Sequence, residues 1–179
     1  MPESYDRSVL LLGGARSGKS HLGVRMVEES GLKPVYCATG VPLDAEMEER
    51  IARHRAERGE RWVTVETPFD FGGVLGRDLR GVGLLLDCVT FFLNNLLFRE
   101  KEEEKARALA YRELGALLEK RRKEGFFLVL ISNEVGLGIV PETPEGRIFR
   151  DLQGQVNQWL ASEVDEVYML LAGIPWRLK

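Results

Sequence analysis

An apolar run, Ser8 to Leu12, leads straight into GGARSGKS, and no other stretch of the 179 residues narrows the choice of fold so far. The segment fits G-x-x-x-x-G-K-[ST], with Gly13, Gly18, Lys19 and Ser20 at the fixed positions. Glycines let the backbone curl and aim N–H groups at phosphate oxygens, and the helix that follows presents its positive N-terminal end. Gly13, Gly14, Ala15, Arg16, Ser17, Gly18, Lys19 and Ser20 are therefore read as a cradle for the phosphates of a purine nucleoside triphosphate, with Lys19 on the terminal phosphates. The Ser20 hydroxyl suits Mg2+. A second metal ligand is then needed, and Asp87 is the best candidate because it closes the apolar run Leu84-Leu85-Leu86 at a strand end, although a capping acid there reads the same way.

The rest of the chain repeats the strand-then-helix alternation. Apolar runs at Ser8 to Leu12, Pro34 to Ala38, Trp62 to Val65, Leu84 to Cys88, Phe126 to Ile131 and Val167 to Leu171 predict strands. Helical patterns lie at Lys19 to Ser30, Asp44 to Arg58, about Phe98 to Lys123, and Gly146 to Ser162. This predicts an α/β fold of the P-loop NTPase kind, with a mostly parallel central sheet flanked by helices. Residues 1–179 are expected to form a single nucleotide-binding catalytic domain. The charged run Arg99 to Lys105 reads as a solvated helix face, and the stretch Gly136 to Gly146 as a loop within the domain.

Lys and Arg total 25 against 28 Asp and Glu, a net charge of −3, so no bulk charge points to nucleic acid. The apolar runs are far shorter than a membrane span, and the expected location is the cytoplasm. Cys37 and Cys88 are too few and too strand-like in context for a disulfide framework or a zinc site, which needs clustered ligands at short spacing, and read as two packed, reduced thiols.

Only His21 and His54 are available for histidine chemistry. His21 directly follows Ser20 and reads as a helix-surface side chain. His54 shares a helix face with Arg50 and Arg58, one turn away on either side. Guanidinium groups there attract a polyphosphate and disfavour imidazolium, which keeps a lone pair free for attack on phosphorus. An exposed histidine on a highly charged helix fits the same spacing.

Taken together, GGARSGKS, RIARHRAERGERWVTVET, LLLDCVTFFLNNLL and SNEVGLGIVPETPEGRIFRDLQGQVNQWLASEVDEVY resemble the bifunctional adenosylcobinamide kinase/adenosylcobinamide-phosphate guanylyltransferase family. The resemblance spans nearly the whole chain. It implies phosphorylation of adenosylcobinamide, then transfer of GMP from GTP onto that phosphate, with pyrophosphate released and with GTP and ATP as substrates. It also implies that His54 carries the guanylyl group. GTP contacts are implied at residues 13–20, at Ala38, Thr39 and Gly40, at Arg55, Ala56, Glu57 and Arg58, and at Glu66 and Asp87. A homo-oligomer, a trimer, is implied as well. Some family members have a second histidine where this chain has Arg53, so a helper role at that position does not carry over.

Glu66 closes a strand and suits guanine N–H groups, although a surface acid at a strand end reads the same way. Ser132, Asn133 and Glu134 end the strand Phe126 to Ile131 and are expected to border the corrinoid, although a strand-end turn closed by Asn133 reads the same way. Arg147 and Arg150 open the next helix, where they meet phosphate or pair with Glu145 and Asp151. Two other readings use the same loop: a P-loop kinase or ATPase for another small molecule, which does not need His54, and a nucleotide-dependent switch without transfer chemistry.

Overall fold

Parallel strands need crossovers, and the sequence supplies a helix between most of its apolar runs. The computed structural model describes residues 6–42 and 45–179, without the side chains at 46, 47, 50, 54 and 57. The elements run β1 (Ser8–Gly13), α1 (Lys19–Glu29), β2 (Lys33–Ala38), α2 (Ala45–Arg58), β3 (Val63–Glu66), α3 (Gly72–Leu75) and β4 (Val82–Asp87). They continue with α4 (Val89–Glu100), α5 (Glu103–Glu124), β5 (Phe127–Ile131), α6 (Pro144–Glu163), β6 (Glu166–Leu171) and β7 (Ile174–Arg177).

Among the described residues the strands form one sheet in the order β3-β2-β4-β5-β1-β6-β7. Strands β1 to β6 pair in parallel, and β7 returns antiparallel to β6. Alternation along each strand sorts side chains to two cores. Leu10, Leu84, Leu86, Leu128 and Leu130 face a large apolar layer shared with α4, α5 and α6. Val9, Leu11, Leu85, Val129 and Ile131 face the other layer, where Val27 of α1 and Trp62 pack. No helix among the described residues is long and apolar enough to cross a membrane.

The expected helix from Phe98 to Lys123 is two helices. The first, α4, begins at Val89 and ends where Lys101 takes a left-handed φ of 58°. The second, α5, has Glu103 and Glu104 in its first turn and Arg121, Arg122 and Lys123 in its last, charges that suit the helix dipole at each end. The Arg99 to Lys105 run spans this break; Arg99, Lys101, Glu102, Glu104 and Lys105 are exposed, so its solvated character holds although its continuity does not. Cys88 caps α4 instead of ending β4, and strand β7 was not expected. Both cysteines are buried free thiols, as expected.

Candidate active site

The crevice lies at the C-terminal ends of the parallel strands. Strand β1 ends at Gly13, which pairs with Leu170 of β6 and has φ 149°. A Cβ there would sit 2.6 Å from the Leu170 carbonyl oxygen and 2.7 Å from Ser17 Oγ, so only glycine fits without displacement. Gly18, φ 95°, turns the chain into α1. The Lys19 side chain folds back over the loop, and Nζ donates to Gly13 O at 2.9 Å, Gly14 O at 2.6 Å and Ser17 Oγ at 3.2 Å. Gly14, Ala15 and Arg16 are exposed. Burial pushes the Lys19 pKa below the usual lysine value, while the nearby Asp87 carboxylate opposes that shift.

Asp87 ends β4, one strand removed from β1 because β5 lies between them. Half-buried, it accepts a hydrogen bond from the Tyr36 hydroxyl at Oδ2, 3.0 Å. Burial first, and the Asp87 charge second, push the Tyr36 pKa far above the usual phenol value, so the hydroxyl keeps its proton. Tyr36 was missed in the sequence, where it reads as one more apolar position of a strand. Next to Asp87, Thr39 is fully buried: its Oγ1 donates to Cys88 O and accepts from Cys88 N, both at 2.7 Å. That hydroxyl is committed to bracing the β2 and β4 tips. Asn95 of α4 adds a second brace, donating to Thr39 O at 2.7 Å and Pro68 O at 3.0 Å.

His54 lies in the third turn of α2, but its side chain, like those of Arg50 and Glu57, falls outside the described residues. Arg58, in the last turn, is buried, with its guanidinium carbon 3.4 Å from the centroid of the Tyr36 ring. Arg55, Ala56 and Arg58 line an open recess of about 440 Å³ with Gly59, Glu60, Trp62 and Thr64, and no residue of 13–20 enters its lining. Glu66 is exposed and pairs with Ala38 at the strand tips. Of the residues implied for GTP, the cradle and Asp87 form one group, Arg55, Ala56 and Arg58 line the recess, and Ala38, Thr39 and Glu66 stand at the tips of β2 and β3; Arg58, Tyr36 and Asp87 join the first two groups.

Beyond β5, Ser132 is buried among Gln153 and Asn157: its Oγ donates to Asn157 Oδ1 at 2.6 Å and accepts from Gln153 Nε2 at 2.8 Å. Ser132 therefore supports the loop from within. Glu134 N donates to Gly13 O at 3.0 Å, which ties this loop to the phosphate cradle. Arg147 donates to the carbonyls of Pro141 and Glu142, and Arg150 pairs with Asp151.

A parallel sheet with a lysine-capped glycine loop after β1, and an acid at the tip of a strand beyond its neighbour, defines a P-loop nucleotide-binding α/β protein. A solved structure from Pyrococcus horikoshii OT3 shares this fold with a TM-score of 0.56 at 12% identity, over 97% of this chain and 86% of that one. The chain belongs to the cobinamide kinase / cobinamide phosphate guanyltransferase family, whose model matches residues 9–178. The bifunctional adenosylcobalamin biosynthesis protein CobP of Pseudomonas aeruginosa is 42% identical over 95% of this chain and 96% of its own length. The bifunctional adenosylcobalamin biosynthesis protein CobU of Escherichia coli is 37% identical over 96% and 99%. Its Salmonella typhimurium counterpart is 36% identical over the same shares.

Proposed function

We propose that this chain phosphorylates adenosylcobinamide and then transfers GMP from GTP to adenosylcobinamide phosphate, giving adenosylcobinamide-GDP and pyrophosphate. The observation that carries this reading is a phosphate cradle closed by Lys19, within range of the Asp87 charge, in a chain matched to the family from residue 9 to 178. Lys19 is already held where a β- or γ-phosphate oxygen would replace the Gly13 and Gly14 carbonyls as its partner. The loop N–H groups supply directional donors, and α1 adds the positive end of its dipole.

The donors present suit Mg2+, since Ser20 offers a hydroxyl and Asp87 a carboxylate, both hard oxygen ligands. Bound there, Mg2+ would neutralise charge on the triphosphate.

In the second step a His54 ring nitrogen attacks the α-phosphorus of GTP. An N–P bond forms, the bond to the bridging oxygen breaks, and pyrophosphate leaves with the electron pair. An oxygen of the cobinamide phosphate then attacks the same phosphorus and returns the pair to the imidazole. Arg55 and Arg58 contribute positive charge beside this helix. Glu66 is read as a guanine contact, and Asn133 and Glu134 as the corrinoid border. We read residues 1–179 as one catalytic domain acting in the cytoplasm as a homotrimer; the exposed Ile174, Trp176 and Leu178 support self-association.

The test is mass spectrometry after incubation with Mg2+ and GTP. The wild type should gain one GMP, in an acid-labile bond, and His54→Asn should gain none while still phosphorylating adenosylcobinamide. A GMP adduct on His54→Asn refutes the covalent assignment.

A further inference from the structure

We propose that Tyr36 is a positioning residue of the nucleotide site, holding one oxygen of Asp87 so that the other is presented to a cation. This rests on the reading of Asp87 as a metal ligand.

The arrangement follows from strand register. Ala38 pairs with Asp87 and Tyr36 with Leu85, so Tyr36, Leu85 and Asp87 project to the same face of the sheet. That face is the one α1 covers, with Lys19 and Ser20 in its first turn. A phenol is long enough to reach from the Leu85 level to the carboxylate two residues further on, and the hydroxyl meets Oδ2 at 3.0 Å. Among the described residues Oδ1 accepts no hydrogen bond.

The ring itself is clamped. Tyr36 is 6% exposed. The Arg58 guanidinium covers one face at 3.4 Å, and Trp62 meets the ring edge-on, with centroids 6.2 Å apart and planes at 82°. Trp62 is anchored in turn by donation from Nε1 to Glu28 Oε1 at 3.1 Å. A packed core of apolar strands has no need for a buried hydroxyl, and phenylalanine would fill the same space. Among the described residues the hydroxyl donates to one acceptor, the acid at the crevice. Outer partners of this kind orient ligating carboxylates, and their loss typically costs about tenfold or more in metal affinity.

The experiment compares wild type, Tyr36→Phe, Asp87→Asn and the double variant. Mn2+ binding to the protein–GTP complex is followed by electron paramagnetic resonance, alongside thermal melting. Tyr36→Phe, which keeps the ring and its packing, should weaken Mn2+ binding about tenfold. In the Asp87→Asn background the same change should have no further effect on Mn2+, because Tyr36 acts through that carboxylate. If Asp87→Asn weakens Mn2+ binding and Tyr36→Phe does not, or if the two effects simply multiply in the double variant, the positioning role is overturned. Unaltered Mn2+ binding in Asp87→Asn overturns the Asp87 reading and the Tyr36 role together.

Discussion

Gly13→Ala tests whether the phosphate loop is held rigid by its neighbour strand. The added methyl would lie 2.6 Å from Leu170 O and 2.7 Å from Ser17 Oγ, both well inside contact distance. Leu170 is a register partner of Gly13 in the sheet, so its carbonyl cannot move without breaking the β1–β6 pairing. Overpacking of this sort costs about 1–3 kcal/mol. The φ of 149° adds a further ~1–3 kcal/mol for any residue with a Cβ. At this chain length about 1 kcal/mol moves the melting temperature by roughly 2–4 °C. A central cost of about 4 kcal/mol therefore predicts a drop of about 8–16 °C by calorimetry. Gly14→Ala is the control: a Cβ there meets nothing within 4 Å, and the change should stay within about 0.5 kcal/mol. GTP with Mg2+ should raise the wild-type melting temperature through linkage and do so less in Gly13→Ala. If Gly13→Ala melts within about 2 °C of wild type, the loop is not pinned by β6 and the argument fails.

Lys19→Ala should weaken GTP binding about 10- to 100-fold, the loss of one or two charge-assisted hydrogen bonds, and unchanged affinity by calorimetric titration contradicts this. Burial pushes the Cys37 and Cys88 thiols up to about 12 each. Iodoacetamide at pH 8 should therefore label them only at the rate of global unfolding, and fast labelling of folded protein refutes that. Because a raised thiol pKa stabilises the fold fully below about pH 9 and less as pH climbs toward 12, the stability advantage over Cys37→Ala should shrink across that window in urea titrations. Thr143 caps α6 by accepting from Gly146 N at 3.1 Å; Thr143→Ala should cost about 1 kcal/mol, read as a melting drop of about 2–4 °C.

The phosphate loop, the six parallel strands and Asp87 were legible because each depends on local pattern: a glycine spacing, an apolar run, an acid closing a strand. Helix α4 was not. Val89, Phe92, Leu93, Asn95 and Leu96 are all buried between the sheet and its neighbouring helices, so the 3.6-residue polar–apolar alternation that marks a surface helix is weakened. Strand β7 is four residues long with every residue exposed, and its clue was the Ala172-Gly173 turn, where both residues have positive φ. Tyr36 and Asn95 were invisible for another reason. Each sits in an apolar stretch, and its importance lies in a partner on a different strand or loop, a relation created only by register.

The phosphate loop leans on residues far downstream of it in the sequence. Leu170 O blocks any side chain at Gly13, and Gly173 N donates to Ser17 O at 3.1 Å. During synthesis the motif leaves the ribosome long before its buttress. A nascent chain stalled before β6 would carry the full glycine signature yet lack the wall that gives it shape. Nucleotide capture should then begin as a late event, when the β6–β7 hairpin clears the exit tunnel and closes behind the loop.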